Sequence, residues 1–226
     1  MNKRVLAFDV YGTLIDTHGV VEALTTELGD ADKAHVFSQR WRDKQLEYAF
    51  RRSLMGAYAR FSDCTREALE FTDRALGGRL SDVAKEHLLD LYTRLPAFPD
   101  VDAGLARFAN AGVRCVAFSN GTDEAVSGLL SQAGIKARFD AVVSVDDIKR
   151  FKPDPAVYAY LRQCTESRAA DTWLVSSNPF DIIGAKYAGL HAAWFRRSAE
   201  APFDPWGDEP DMTVSDLDEL ADRLLQ

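Results

Sequence analysis

The chain is 226 residues long, 46% hydrophobic and 27% charged, with a net charge of −8. That length buries a substantial core and suits one large domain, or one domain carrying an insert. The acidic balance argues against nucleic acid or an anionic membrane as the main partner, since both select a basic footprint, but it leaves room for a small anion held by a few local cations.

No apolar run approaches the roughly 20 residues that span a bilayer. The opening Met1-Asn2-Lys3-Arg4 leads into a short apolar run interrupted by Asp9, unlike a secretory leader. Cys64, Cys115 and Cys164 are odd in number, far apart and without metal-ligand spacing. They read as reduced buried thiols in a cytoplasmic protein.

In chain order, Val5 to Phe8 is continuously apolar, as in a strand buried on both faces of a parallel sheet. It stops at Asp9, and Gly12 supplies a turn. From about Thr17 to Leu95 the pattern is helix after helix with no buried strand. Asp43 to Met55 carries Leu46, Phe50 and Leu54 at helical spacing. Thr65 to Leu76 and Ser81 to Leu91 are amphipathic, each opened by an N-cap candidate. Helical stretches then follow at Val101–Ala111, Asp123–Ala133, Pro155–Cys164 and Pro179–Ala188, with apolar runs at Val113–Phe118, Ala141–Val145, Thr172–Val175 and Ala192–Phe195. Gly112, Gly134 and Gly189 mark helix stops. Ala199 to Asp211 is rich in proline and acidic residues and reads as a surface loop before a last short helix. The order predicts the α/β class: a doubly wound parallel sheet with a Rossmann-like core (residues 1–16 and 96–226) and a helical insert (17–95) after the first strand.

In open parallel sheets, ligands bind beyond the carboxyl ends of the strands. The polar residues expected there are Asp9 with Thr13, then Ser119-Asn120, Lys152, and Ser176, Asn178 and Asp181. Each alone is ordinary. An aspartate after a strand is often a turn residue or helix cap, Ser119-Asn120-Gly121 could be a plain turn, and Lys152-Pro153-Asp154 could be a loop before a helix opened by Pro155. Four such elements in order point to a site.

These segments, Asp9-Val10-Tyr11-Gly12-Thr13-Leu14, Phe118-Ser119-Asn120-Gly121, Phe151-Lys152-Pro153-Asp154 and Val175-Ser176-Ser177-Asn178-Pro179-Phe180-Asp181, resemble the motifs of the haloacid dehalogenase superfamily. The resemblance covers essentially the whole chain, and the insert looks like that family's cap domain. Phosphatase members carry a second aspartate where this chain has Tyr11, and hold magnesium with an acidic pair where it has Ser177 and Asp181. Mg²⁺ prefers hard anionic oxygens, so the resemblance implies a reaction without metal or other cofactor. Halide is a weak base and leaves unprotonated, so displacement at carbon tolerates Tyr11. Trp41-Arg42-Asp43-Lys44-Gln45-Leu46-Glu47-Tyr48 and Arg52-Ser53-Leu54-Met55 resemble the cap helix of the L-2-haloacid dehalogenases. By charge pattern alone Arg42, Lys44 and Glu47 are a solvated helix face. The resemblance instead implies that Arg42 reaches the departing halide.

The implied function is hydrolysis of short L-2-haloacids to D-2-hydroxy acids through an ester on Asp9. Lys152 is expected beside Asp9, keeping it ionised. Thr13, Ser176 and Tyr158 are expected to orient Asp9 and Lys152, Ser119 to hold the substrate carboxylate with backbone N–H groups, and Asp181 with Asn178 to activate water. Arg42 and Asn120 are expected to receive halide, and Tyr11, Leu46, Phe61 and Phe180 to wall the site. Asp43, Phe50, Pro179 and Phe180 depart from the subfamily pattern and bear on rate and halide preference. Alternatives are a haloacetate- or fluoroacetate-preferring dehalogenase, a magnesium-dependent phosphatase of the same superfamily, and a non-catalytic dimeric binding protein. Expected partners are a small 2-haloacid, water and a second copy of the chain as a homodimer, with no nucleic acid or membrane.

Overall fold

Residues 4–226 are described in the structure, a computed structural model; Met1 to Lys3 of the opening segment lie outside them. The first strand, β1 (Val5–Asp9), is buried along its whole length. Its side chains alternate between two cores. Leu6 and Phe8 join one cluster, Val5 and Ala7 the other, as the period of two requires for a strand covered on both faces.

Between β1 and the second strand come a 3₁₀ turn (Thr17–Val20) and four helices: α1 (Val21–Leu28), α2 (Ala31–Met55), α3 (Phe61–Ala75) and α4 (Asp82–Tyr92). The chain leaves and re-enters the sheet layer at one place. Asp16 N–H donates to Pro96 O at 2.9 Å and Phe98 N–H to Leu14 O at 2.9 Å, which ties both stems of the insert together.

The rest alternates: α5 (Val101–Asn110), β2 (Arg114–Ser119), α6 (Asp123–Gln132), β3 (Ala141–Ser144), α7 (Pro155–Thr165), β4 (Thr172–Ser176), α8 (Pro179–Tyr187), β5 (His191–Phe195), β6 (Met212–Val214) and α9 (Leu217–Leu224). The six strands are all parallel, in the order β3-β2-β1-β4-β5-β6. Val101, Leu105, Val126, Leu129 and Leu217 of α5, α6 and α9 fill the Leu6–Phe8 side, and Val157, Leu161, Ile182 and Ala185 of α7 and α8 fill the other. The order runs outward from β1 to one side, then outward from β4 to the other. The switch point therefore falls between the ends of β1 and β4, where a crevice opens.

Four expectations need correction. Cys64 and Cys115 are buried, but Cys164, near the end of α7, is exposed. The helix expected at Asp43 starts at Ala31, where Asp30 caps it by accepting from Lys33 N–H at 3.1 Å. Thr65 is no N-cap but sits inside α3, which starts at Phe61; Ser81 does cap α4. Strand β6 follows the Ala199–Asp211 loop and was not foreseen, because three residues are too few to show periodicity.

Candidate active site

Asp9 ends β1 at the switch point and is 7% exposed. Its two oxygens have different surroundings. Oδ2 accepts from Asn178 Nδ2 at 2.7 Å, Thr13 Oγ1 at 2.9 Å and Ser176 Oγ at 3.3 Å. Oδ1 accepts from Lys152 Nζ at 3.0 Å. The first oxygen is held by three neutral donors, the second by one cation.

Lys152 is fully buried. Its ammonium spends its three protons on Asp9 Oδ1, Asp181 Oδ2 at 2.7 Å and the Phe118 carbonyl at 3.0 Å. Burial alone would lower its pKa. The pull of Asp181 and then of Asp9 outweighs it, and the net shift is upward from 10.5. Asp181 is fully buried on the first turn of α8. Its Oδ1 accepts from Tyr158 Oη at 2.7 Å, and burial raises its pKa above 3.8 despite Lys152. Burial, then the charge of Asp181, lifts the Tyr158 phenol well above its ordinary range, so it stays a donor. Gly184 makes this approach possible, since a Cβ there would overlap Tyr158 Oη and Pro153.

The turn after β1 is held from the far side. Ser177 N–H donates to Thr13 Oγ1 at 2.9 Å and Ser177 Oγ to the Gly12 carbonyl at 2.7 Å. Gly12 adopts φ of +83°, which glycine takes without strain. Arg197 donates to the Thr13 carbonyl through Nε at 3.1 Å and Nη2 at 2.7 Å, and pairs with Asp100 at 2.6 Å.

This donor set does not fit a divalent cation. The two carboxylates already share the Lys152 ammonium, both Asp181 oxygens are engaged, and the neighbouring Ser177 hydroxyl is neutral and spent on the Gly12 carbonyl.

Ser119 Oγ accepts from Gly121 N–H at 3.1 Å, leaving its own proton for another acceptor. Asn120 Oδ1 accepts from Lys152 N–H at 3.0 Å, so its free face is the amide NH₂. Above the strand ends, Arg42 of α2 donates to the Tyr11 carbonyl at 3.1 Å and to Gln45 Oε1 at 2.6 Å. Its polar partners among the described residues, the Tyr92 hydroxyl included, are all neutral. Asp43 does not offset it. That residue is exposed and accepts from Gln39 at 2.8 Å. Lys44 does not face open water either; it lies 4.1 Å from the Phe71 ring centroid and pairs with Glu47.

Tyr11 and Phe61, with ring centroids 5.6 Å apart, line a cavity of about 290 Å³ that also touches Tyr92, Thr65 and Gly121. Phe180 packs on Phe50 at 5.0 Å and lines, with Lys152, a larger groove of about 580 Å³. Leu46 is half-buried on α2.

The structure brings together Asp9, Thr13, Lys152, Ser176, Asn178, Tyr158 and Asp181 in one hydrogen-bonded group, with Arg42 anchored to the turn that follows Asp9. One placement differs from expectation: Tyr158 touches Asp181 rather than Asp9 or Lys152. The Asn178 amide, expected to act with Asp181 on the water, donates to Asp9 Oδ2. Gln45, Tyr92, Ser177 and Arg197 were missed. Gln45 had a signal, lying three residues after Arg42 on one helix face; Tyr92 and Arg197 are distant in sequence and had none.

A haloacid dehalogenase-like hydrolase family model matches residues 3–189. The chain is 37% identical to the (S)-2-haloacid dehalogenase of Pseudomonas sp. (strain YL), covering 94% of this chain and 90% of that one. It is 35% identical to haloacetate dehalogenase H-2 of Moraxella sp. (strain B), covering 96% of each. A solved structure of L-2-haloacid dehalogenase from Xanthobacter autotrophicus with chloropropionic acid covalently bound superposes with a TM-score of 0.89 at 33% identity, covering 99% of this chain and 98% of that one.

Proposed function

Because the chain belongs to the haloacid dehalogenase-like hydrolase family, we propose that it hydrolyses the carbon–halogen bond of short L-2-haloacids, yielding D-2-hydroxy acids. The carrying observation is Lys152 lodged between Asp9 and Asp181. It leaves a charged nucleophile with no acidic set for a metal, which suits displacement at saturated carbon and not phosphoryl transfer.

The asymmetry of Asp9 assigns its oxygens. Oδ2 has three donors and little room for another bond. Oδ1 has one, and is the atom that attacks C2 in line as the C2–halogen bond breaks. The halide departs toward Arg42 and the Asn120 amide, and the Ser119 hydroxyl takes the substrate carboxylate. In the resulting ester, Oδ2 is the carbonyl oxygen. Thr13, Ser176 and Asn178 already point donors at it, and they stabilise the negative charge it gains when water adds to the carbonyl carbon. Asp181 takes the proton of that water, held by Tyr158 and Lys152. Collapse breaks the carbonyl carbon–Oδ1 bond, the leaving oxygen takes up the proton that Asp181 received, and the hydroxy acid departs as the other water proton is lost to solvent and the Asp9 carboxylate is restored. Tyr11 and Phe61 form an apolar wall beside the turn after Asp9, whereas Phe180 packs on Phe50 in the other groove.

The insert of residues 17–95 acts as a cap domain over a core of residues 1–16 and 96–226. The Arg42 contact to Tyr11 supports this, since it joins the insert to the nucleophile's turn. The protein acts in the cytoplasm as a homodimer. No described helix is long and apolar enough to cross a membrane. The groove bordered by Phe50, Leu54, Phe180, Ile183, Tyr187 and Trp206 supports self-association, since Leu54 is 89% and Tyr187 76% exposed. Sedimentation of the Leu54→Glu variant tests it; a second copy seated there requires the mass to halve.

Halide release from L- and D-2-chloropropionate, chloroacetate and fluoroacetate, with and without chelator, tests the reaction. Release from the L isomer unaffected by chelator is expected, and it is lost in Asp9→Asn. Release from the D isomer alone overturns the substrate pose. A chelator-sensitive phosphatase activity overturns the class. The Moraxella relative favours haloacetates as a second reading, and stronger turnover of chloroacetate or fluoroacetate selects it. Single turnover in heavy-oxygen water places the label in Asp9 first.

A further inference from the structure

We propose that Gln45 is the positioning residue for Arg42, a neutral amide that aims the guanidinium at the leaving halide without cancelling its charge. The inference rests on the dehalogenase reading and adds a residue to that site. Gln45 lies one helical turn after Arg42 on α2 and is 0% exposed. Its Oε1 accepts from Arg42 Nη1 at 2.6 Å and from the Tyr92 hydroxyl at 3.2 Å. Its Nε2 donates to Thr65 Oγ1, whose own proton goes to the Phe61 carbonyl at 2.9 Å.

That network fixes the amide one way round. Two donors converge on Oε1 and one acceptor faces Nε2, so a flipped amide would set its NH₂ against the guanidinium. Burial raises the Tyr92 phenol even beside the Arg42 cation, so Tyr92 remains a donor. The guanidinium fork is then pinned at both ends, at Gln45 by Nη1 and at the Tyr11 carbonyl by Nη2. Since Tyr11 lies two residues past Asp9, the cation is held relative to the nucleophile itself.

The chemistry explains why an amide serves here. A carboxylate at the same distance would form a buried ion pair and cancel the charge that the halide needs. An apolar side chain would keep the charge but release a long, flexible arm. Both changes act on the leaving group and leave the substrate carboxylate's contacts untouched.

The test uses Gln45→Glu, Gln45→Leu, Tyr92→Phe and Thr65→Val in the full chain, each checked for folding by thermal unfolding. For L-2-chloropropionate, kcat is expected to fall about 10- to 100-fold in Gln45→Leu and further in Gln45→Glu, with KM changing less than about threefold. The rate ratio of bromo- to chloropropionate should widen, because the poorer leaving group depends more on Arg42. Inhibition by sodium bromide should weaken about tenfold in Gln45→Leu and disappear in Gln45→Glu. Tyr92→Phe keeps the ring and removes a hydroxyl that donates to Gln45 Oε1 and also contacts Arg42, so it should shift both readouts the same way by a few fold; Thr65→Val, which removes only the acceptor of Gln45 Nε2, should do likewise and decides the matter if the Gln45 variants do not fold. Folded variants with an unchanged halide ratio and bromide inhibition overturn the positioning role while leaving the dehalogenase reading intact. A wild-type chain that releases no halide overturns both.

Discussion

Lys152 Nζ lies 3.0 Å from Asp9 Oδ1, buried and with its remaining protons committed to Asp181 and to a backbone carbonyl. Removing the ammonium would leave two buried carboxylates with no cation, and one of them would take up a proton. Lys152→Met is therefore expected to lose at least about 1,000-fold in halide release, with a stability cost of about 3–5 kcal/mol. Lys152→Arg should not restore activity, because a planar fork cannot send three protons in the directions one ammonium does. Chloride release and urea unfolding check both variants.

The same pair sets the response to pH. The Lys152 pKa is raised above 10.5, so its stabilising contribution is complete below that value and is lost only as pH climbs through the higher folded-state value. Asp181 is raised above 3.8, chiefly by burial. Its folded state favours the proton, so stability falls as pH rises from 3.8 to that value, whereas the carboxylate needed for water activation appears only above it. The rate should rise on an acid limb lying above 3.8 and then hold flat into the alkaline range. A pH–rate profile of kcat that dropped near neutrality would contradict this.

Most of the sheet could be read from sequence because its strands are continuous apolar runs ended by polar residues, and Asp9, Lys152 and Asp181 stand at or just beyond such ends. Contacts that depend on tertiary approach were not legible. Nothing local says that Asn178 turns to Asp9 while Tyr158 turns to Asp181. That choice follows from where α8 starts, which presents Asn178 as its N-cap residue beside the β1 turn and Asp181 inward. β6 is an edge strand held by pairing with β5, and pairing of so short a segment leaves no pattern in the chain.

Gly184 separates the two halves of the reaction. It lies on α8 with no room for a Cβ against Tyr158 Oη and Pro153. Gly184→Ala should displace Tyr158 from Asp181 at a cost of about 1–3 kcal/mol from overpacking. Thr13, Ser176 and Asn178, which hold Asp9 Oδ2, are not among the groups that a Cβ at Gly184 would meet, so alkylation should be less affected than ester hydrolysis. The expected result is an intact chain that carries a substrate adduct at steady state, visible by mass spectrometry, with turnover down about tenfold. Equal slowing of both steps would show that Tyr158 does not act through Asp181.

Arg197 shows how the nucleophile's turn is held from a distance. Its guanidinium lies 4.1 Å from the Phe98 ring centroid and 3.9 Å from that of Phe195, ion-paired to Asp100 at 2.6 Å. From there it sends two N–H groups to the Thr13 carbonyl, and the Thr13 hydroxyl is one of the three donors on Asp9 Oδ2. A lysine could keep the charge and the Asp100 pair, but not the fork or the stacking between rings. Arg197→Lys should therefore loosen the turn without altering the charge of the site. A drop in kcat of about tenfold with little change in KM is expected, since a misplaced donor matters most when Oδ2 gains charge. Thr13→Val removes that donor directly, so adding Arg197→Lys to it should cost little more. Full additivity of the two changes would show that Arg197 acts by some route other than Thr13.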